Sequence, residues 1–163
     1  MNQVNNNMKT IPTLIALACT TAFASAQVER REVRLADCPP AVQTTVNENA
    51  RGGHIDEVDV IGIEGKTIYI AEVELPRDRD LKIYVSGNGA LVKTLEDIVL
   101  REAPEAVRNA VQGLGGSVDD VDKETNGETV TYHVEIDRTG EPDLDVVLAV
   151  NGAILSQTEE ADD

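Results

Sequence analysis

Pro104-Glu105-Ala106-Val107-Arg108-Asn109-Ala110-Val111, running on through Gly115-Gly116-Ser117-Val118-Asp119-Asp120-Val121 to Asn151-Gly152-Ala153-Ile154-Leu155, is a second rendering of residues 39–92. Pro39, Ala41, Val42 and Val46 recur 65 positions later as Pro104, Ala106, Val107 and Val111. Gly53, Ile55, Asp56 and Val58 recur as Gly116, Val118, Asp119 and Val121, now 63 positions later, and Asn88-Gly89-Ala90-Leu91-Val92 recurs at that same shorter spacing. The spacing changes just after the helical part, where a loop absorbs a small deletion. Working outward, the lead-in residues Val33 and Leu35 match Ile98 and Leu100.

Each copy begins as a helix. Pro is tolerated in a first turn and acidic side chains there complement the helix dipole, so Asp37-Cys38-Pro39-Pro40 and Glu102-Ala103-Pro104-Glu105 both predict helix starts. Val42, Val46 and Ala50 recur at four-residue steps, and Val107, Ala110, Val111 and Leu114 form the matching stripe. Gly52-Gly53 and Gly115-Gly116 end the helices. Beyond them the pattern alternates, as in Tyr69, Ala71, Val73 and Leu75, or Val130, Tyr132, Val134 and Ile136, with hairpin turns at Glu64-Gly65 and Asn126-Gly127.

Burying a large apolar side chain yields about 1.5 to 3 kcal/mol, whereas ordering a helix costs about 1 to 2 kcal/mol per residue. Neither helix is therefore stable until its stripe closes over the strands. The expected fold class is α+β: two tandem modules, residues 27–97 and 98–156, each one helix packed on a four-stranded antiparallel sheet. Gln27 to Arg34 is charged and expected to be disordered until it docks, and the acidic tail, residues 157–163, is expected to be disordered.

Residues 1–26 read as a cleaved secretory signal: Lys9, an apolar run from Ile11 to Ala18, then Ala24-Ser25-Ala26. The run is too short to span a bilayer, which takes about 20 apolar residues. Export to the periplasm or the exterior follows, with a lipoprotein anchored through Cys19 as the alternative. The full chain carries 14 basic against 30 acidic residues and a formal charge of −16. Such a chain is repelled by nucleic-acid backbones and anionic membranes. Loss of Phe23 with the signal leaves Tyr69, Tyr84 and Tyr132 as the aromatic residues, too few for base-stacking platforms. Cleavage also leaves Cys38 alone, so no intramolecular disulfide forms. A helix start would favour its thiolate; the match to Ala103 instead reads it as an incidental small side chain.

Pro-x-Ala-Val, a Gly followed by Ile or Val, Tyr132-His133-Val134-Glu135-Ile136 and an Asn-Gly turn with Leu or Ile after it together resemble the PepSY-like family, grouped by fold with the β-lactamase inhibitor protein. The resemblance covers nearly all of the mature chain in two copies. Ala71 stands in the first copy where the Tyr is expected, and the inhibitor protein's disulfides have no counterpart. The resemblance implies an exported, non-catalytic module that binds, and inhibits or restrains, a protein such as a peptidase.

The residues themselves give little chemistry. His54 and His133 have no imidazole counterpart in the other copy, Ser86, Ser117 and Ser156 lack a nucleophile-elbow context, and Gly113-Leu114-Gly115-Gly116 ends a helix instead of opening one. No enzyme, cofactor or metal is expected. Asp119-Asp120-x-Asp122 and Asp143-x-Asp145 lack the glycine and distal Glu of a calcium loop, although an envelope protein binding a small ligand or Ca2+ through its acidic surface is the second reading. The expected partner-binding residues lie on the strand faces turned from the helices: Ile68, Ile70, Glu72 and Tyr84 in the first copy, His133, Glu135 and Val147 in the second. Ile68, Ile70 and Tyr84 form either an exposed contact patch or a surface buried between the two modules.

Overall fold

The computed structural model describes residues 29–63 and 65–160. The signal segment, with the alternative anchor Cys19, lies outside them. The described chain runs β1 (Glu29–Val33), α1 (Pro40–Asn49), β2 (His54–Ile63), β3 (Lys66–Leu75), β4 (Arg79–Ser86), β5 (Leu91–Asp97), α2 (Glu105–Leu114), β6 (Ser117–Asn126), β7 (Thr129–Asp137), β8 (Asp143–Ala149) and β9 (Ile154–Glu160). Pro39 and Pro104 stand immediately before the helices in extended backbone, as a residue preceding a first turn should. Gln43 Nε2 and Arg108 Nη1 then reach back and donate to the carbonyls of Cys38 and Ala103, at 2.8 and 2.5 Å.

The nine strands form one antiparallel sheet in sequence order. This corrects the expectation of two modules with separate four-stranded sheets: the described fold is mostly β, a single sheet carrying two helices. The join is the β5–β6 ladder, with Thr94 opposite Thr125, Leu95 opposite Glu124, Glu96 opposite Lys123 and Asp97 opposite Asp122. Left apart, β5 and β6 would each present a row of unpaired N–H and C=O groups, and pairing satisfies both. Two further segments expected to be disordered are strands. Glu29–Val33 pairs with β2, and Gln157 to Glu160 form the second half of β9, paired with β8. Both are edge strands, where backbone pairing on one side offsets a composition too polar to form a core.

One face of the sheet is apolar and carries both helices. Val42 and Val46 of α1 are fully buried against Val58, Ala71, Val73, Leu81, Ile83 and Val85. Val107 and Val111 of α2 pack with Val121, Tyr132, Val134, Ile136, Leu144 and Leu148. Cys38 belongs to the first cluster. It is buried, its Sγ lies 3.6 Å from the Arg34 carbonyl, and burial pushes its thiol above the usual range, against the thiolate expected at a helix start. At the join the buried Glu96 accepts from Arg51 at 2.7 Å and Arg79 at 2.5 Å. Burial raises its carboxyl pKa, but the Arg51 hydrogen bond and the charges of Arg51, Arg79 and Lys123 outweigh that and hold it below the ordinary value.

Candidate functional site

Strand alternation sends every second side chain to the face without helices. All seven expected partner-binding residues lie there. Ile70 stands opposite Tyr84, Glu72 opposite Lys82 and Ile68 opposite Ser86 across β3 and β4. His133 stands opposite Val147, and Glu135 opposite Asp145, across β7 and β8. Each of the seven is partly buried. Because the two halves meet edge to edge at β5–β6, the patch of Ile68, Ile70 and Tyr84 is not sandwiched between them.

The two groups of residues are linked through side chains that the sequence reading passed over. The Lys93 Nζ lies 4.9 Å from the Tyr84 ring centre, a cation–π contact, and donates to Glu124 Oε2 at 2.8 Å. The same carboxylate oxygen is 3.4 Å from His133 Nε2, an ion pair when the imidazole is protonated. Tyr84, Lys93, Glu124 and His133 thus form a continuous chain across β4, β5, β6 and β7. Their register could have been extended from β4 and β7 only by knowing that β5 and β6 are neighbours.

Around this chain the face is acidic. Hollows along it are lined by Asp56, Glu72 and Asp80 toward the first half and by Asp120, Asp122 and Asp145 toward the second. Crowding leaves its mark on the carboxyls. Burial, then the charges of Asp120 and Asp97, raise Asp122; burial, then Asp120 and Asp80, raise Asp97; burial, then Asp145 and Asp119, raise Glu135. Glu57 is raised by burial and by Glu32 and Glu72. Its carboxylate, with those of Asp59 and Glu72, forms a cluster whose oxygens lie within 4.8 Å of one another. Asp59 is 4% exposed and is ion-paired to Arg30 on β1, so a guanidinium already sits beside the cluster. Asp143-x-Asp145 points to this open face as well, where Asp145 faces Glu135 and Thr158.

No family model matches the chain, and no curated protein matches it. Solved structures do. A DUF2874 family protein from Bacteroides uniformis superposes with a TM-score of 0.62 at 22% identity, covering 75% of this chain and 89% of its own. A protein from Bacteroides eggerthii described as a candidate periplasmic protein gives 0.61 at 18%, covering 75% and 88%. A BLIP-like protein from Bacteroides fragilis gives 0.58 at 15%, covering 77% and 90%. The chain therefore has a BLIP-like fold. Among the described residues no helix is long and apolar enough to cross a membrane.

Proposed function

We propose that the chain is an exported, non-catalytic tandem PepSY-like protein that binds, and inhibits or restrains, a protein partner such as a peptidase through its open sheet face. The observation that carries this reading is the Tyr84–Lys93–Glu124–His133 chain, which joins contact residues of both halves into one face. Ile68, Ile70 and Val147 supply half-buried apolar area beside it, and the surrounding carboxylates supply a polar rim, the composition of a protein contact surface.

The duplication is supported by more than the residue matches. The sheet register shifts between Ile55 and Val58 and again between Val118 and Asp120, and it shifts at Tyr84/Val85 and again at Val147/Leu148. We read residues 27–97 and 98–156 as the two copies. Export is supported by the charge, apolar run and A-x-A pattern of residues 1–26 and by the kinship in fold with a protein described as periplasmic. The histidines argue against catalysis, since His54 and His133 lie on β2 and β7, with four strands between them.

Mature protein immobilised as bait in an envelope extract tests the face. Wild type should retain a protein that a Tyr84→Ala, Glu72→Ala variant loses; equal recovery of every captured protein by both would remove this face from consideration. The second reading, cation binding, is favoured by the Glu57, Asp59 and Glu72 cluster. Calorimetric titration with Ca2+ separates the two, because saturable heat abolished by Glu72→Gln would support the cation reading.

A further inference from the structure

The last strand repeats the place of β5 without the neighbour that β5 has. Leu91–Asp97 and Ile154–Glu160 are equal in length, follow Asn-Gly turns, and each closes a run of one helix and four strands. β5 is bonded to β4 on one side and, over Thr94 to Asp97, to β6 on the other. Between those neighbours Thr94 and Glu96 are each 7% exposed. The matching residues of β9 are Gln157 and Glu159, and they are exposed, as is every residue of that strand. Among the described residues nothing pairs with its outer edge.

We infer that the outer edge of Gln157 to Glu160 accepts an extended, antiparallel strand from another protein, one that sets a lysine or arginine opposite Glu159. A bare edge offers its N–H and C=O groups to any extended chain, and side chains opposite it choose which one. The chemistry of the choice is visible inside the molecule, where Lys123 of β6 arrives opposite Glu96 of β5. Glu96 holds two arginines, Arg51 and Arg79, besides. Among the described residues Glu159 is ion-paired only to Arg138, at 3.0 Å, and Arg138 also holds Glu141, so a cation arriving opposite Glu159 meets an under-compensated carboxylate.

A second copy of this chain fits the edge poorly in the register that β5 and β6 use. The strand that holds the place of β6 in the first half is β2, and its edge is occupied by β1, with Arg30 on the buried Asp59. Replacing β1 by the β9 of another copy would strip Asp59 of its partner and bring Glu160 toward it, an uncompensated buried charge. The formal charge of −16 adds repulsion between copies. The choice of β5 as the template rests on the duplication read above; nothing in the inference depends on Tyr84 or Glu72, so loss of the open-face reading leaves it standing.

The test is amide hydrogen exchange on the mature protein with a short peptide alternating valine and lysine. Controls replace its lysines with glutamates or its central residue with proline. Exchange at residues 157–160 should slow about tenfold or more with the lysine peptide alone, and the Glu159→Lys, Glu160→Lys variant should transfer that protection to the glutamate peptide. Four results would overturn the inference: no slowing at 157–160 with wild type, equal slowing at β1, protection confined to β3, β4 and β7, or a molecular mass that rises with concentration and makes a second copy the occupant.

Discussion

A methyl group at Gly89 would stand 2.5 Å from the Cβ of Ala41, and the backbone there has φ +86°. The turn is pressed against the first turn of α1, and Thr45 donates to the Gly89 carbonyl at 2.6 Å. Gly152, with φ +79°, is pressed against Ala106 as well, there chiefly against its backbone carbonyl. Here the recurring Pro-x-Ala-Val and Asn-Gly motifs find a physical cause: the alanine is small because the turn lies on it, and the turn needs glycine because the alanine is there. Gly89→Ala should lower stability by about 2 to 4 kcal/mol, from left-handed strain together with overpacking. Gly62→Ala, where a methyl group would meet nothing within 4 Å, should change it by about 0.5 kcal/mol or less. Urea unfolding of the two variants checks the contrast, and equal effects would remove the packing explanation. Both motifs are legible in the sequence as a helix start and a hairpin turn, but their contact is not, since nothing local says that residue 89 returns to residue 41.

The β5–β6 ladder decides the architecture, and it is the element that periodicity conceals. Alternation tells which way a side chain points, so the open face and its seven expected residues could be read in advance. It does not tell which strands are neighbours when a helix intervenes. The interval from Ile98 to Gly116, with its proline and paired glycines, therefore reads as a boundary between modules, whereas the chain returns after α2 to pair with the strand it has just left. Edge strands are concealed for a different reason. Glu29-Arg30-Arg31-Glu32 and Gln157-Thr158-Glu159-Glu160 are as charged as a disordered tail, and charge is also what protects a sheet edge from indiscriminate pairing. Thr94→Pro, which puts a residue without an N–H into a strand paired on both sides, should cost about 3 kcal/mol or more. Gln157→Pro, at the matching place on an edge, should cost clearly less. Thermal unfolding of both variants measures the difference, and equal losses would mean that the ladder contributes nothing to holding the halves together.

For the molecule as a whole, the crowded carboxyls set the pH of greatest stability. Asp97, Asp122, Glu135 and Glu57 are raised in the folded state, so the native chain binds protons more readily than the unfolded chain and is destabilised as pH rises through those values. Glu96 acts in the opposite sense. Its pKa is lowered, and its contribution is present above the unfolded value and lost as pH falls through the folded one. The thermal midpoint should therefore rise as pH falls from neutrality toward the upper edge of the ordinary carboxyl range and fall again below about pH 4. Added salt should help most at pH 8, where repulsion is greatest. A midpoint that falls as pH is lowered from neutrality toward the carboxyl range would contradict this account. The sealed thiol at the mouth of α1 has a consequence of its own. While the N-terminal half stays closed, Cys38 is withheld from oxidants and from other thiols, so among the described residues the fold neither relies on a covalent cross-link nor is drawn into one. Packing, sheet pairing and ion pairs hold its shape, none of them sensitive to the redox state of its surroundings.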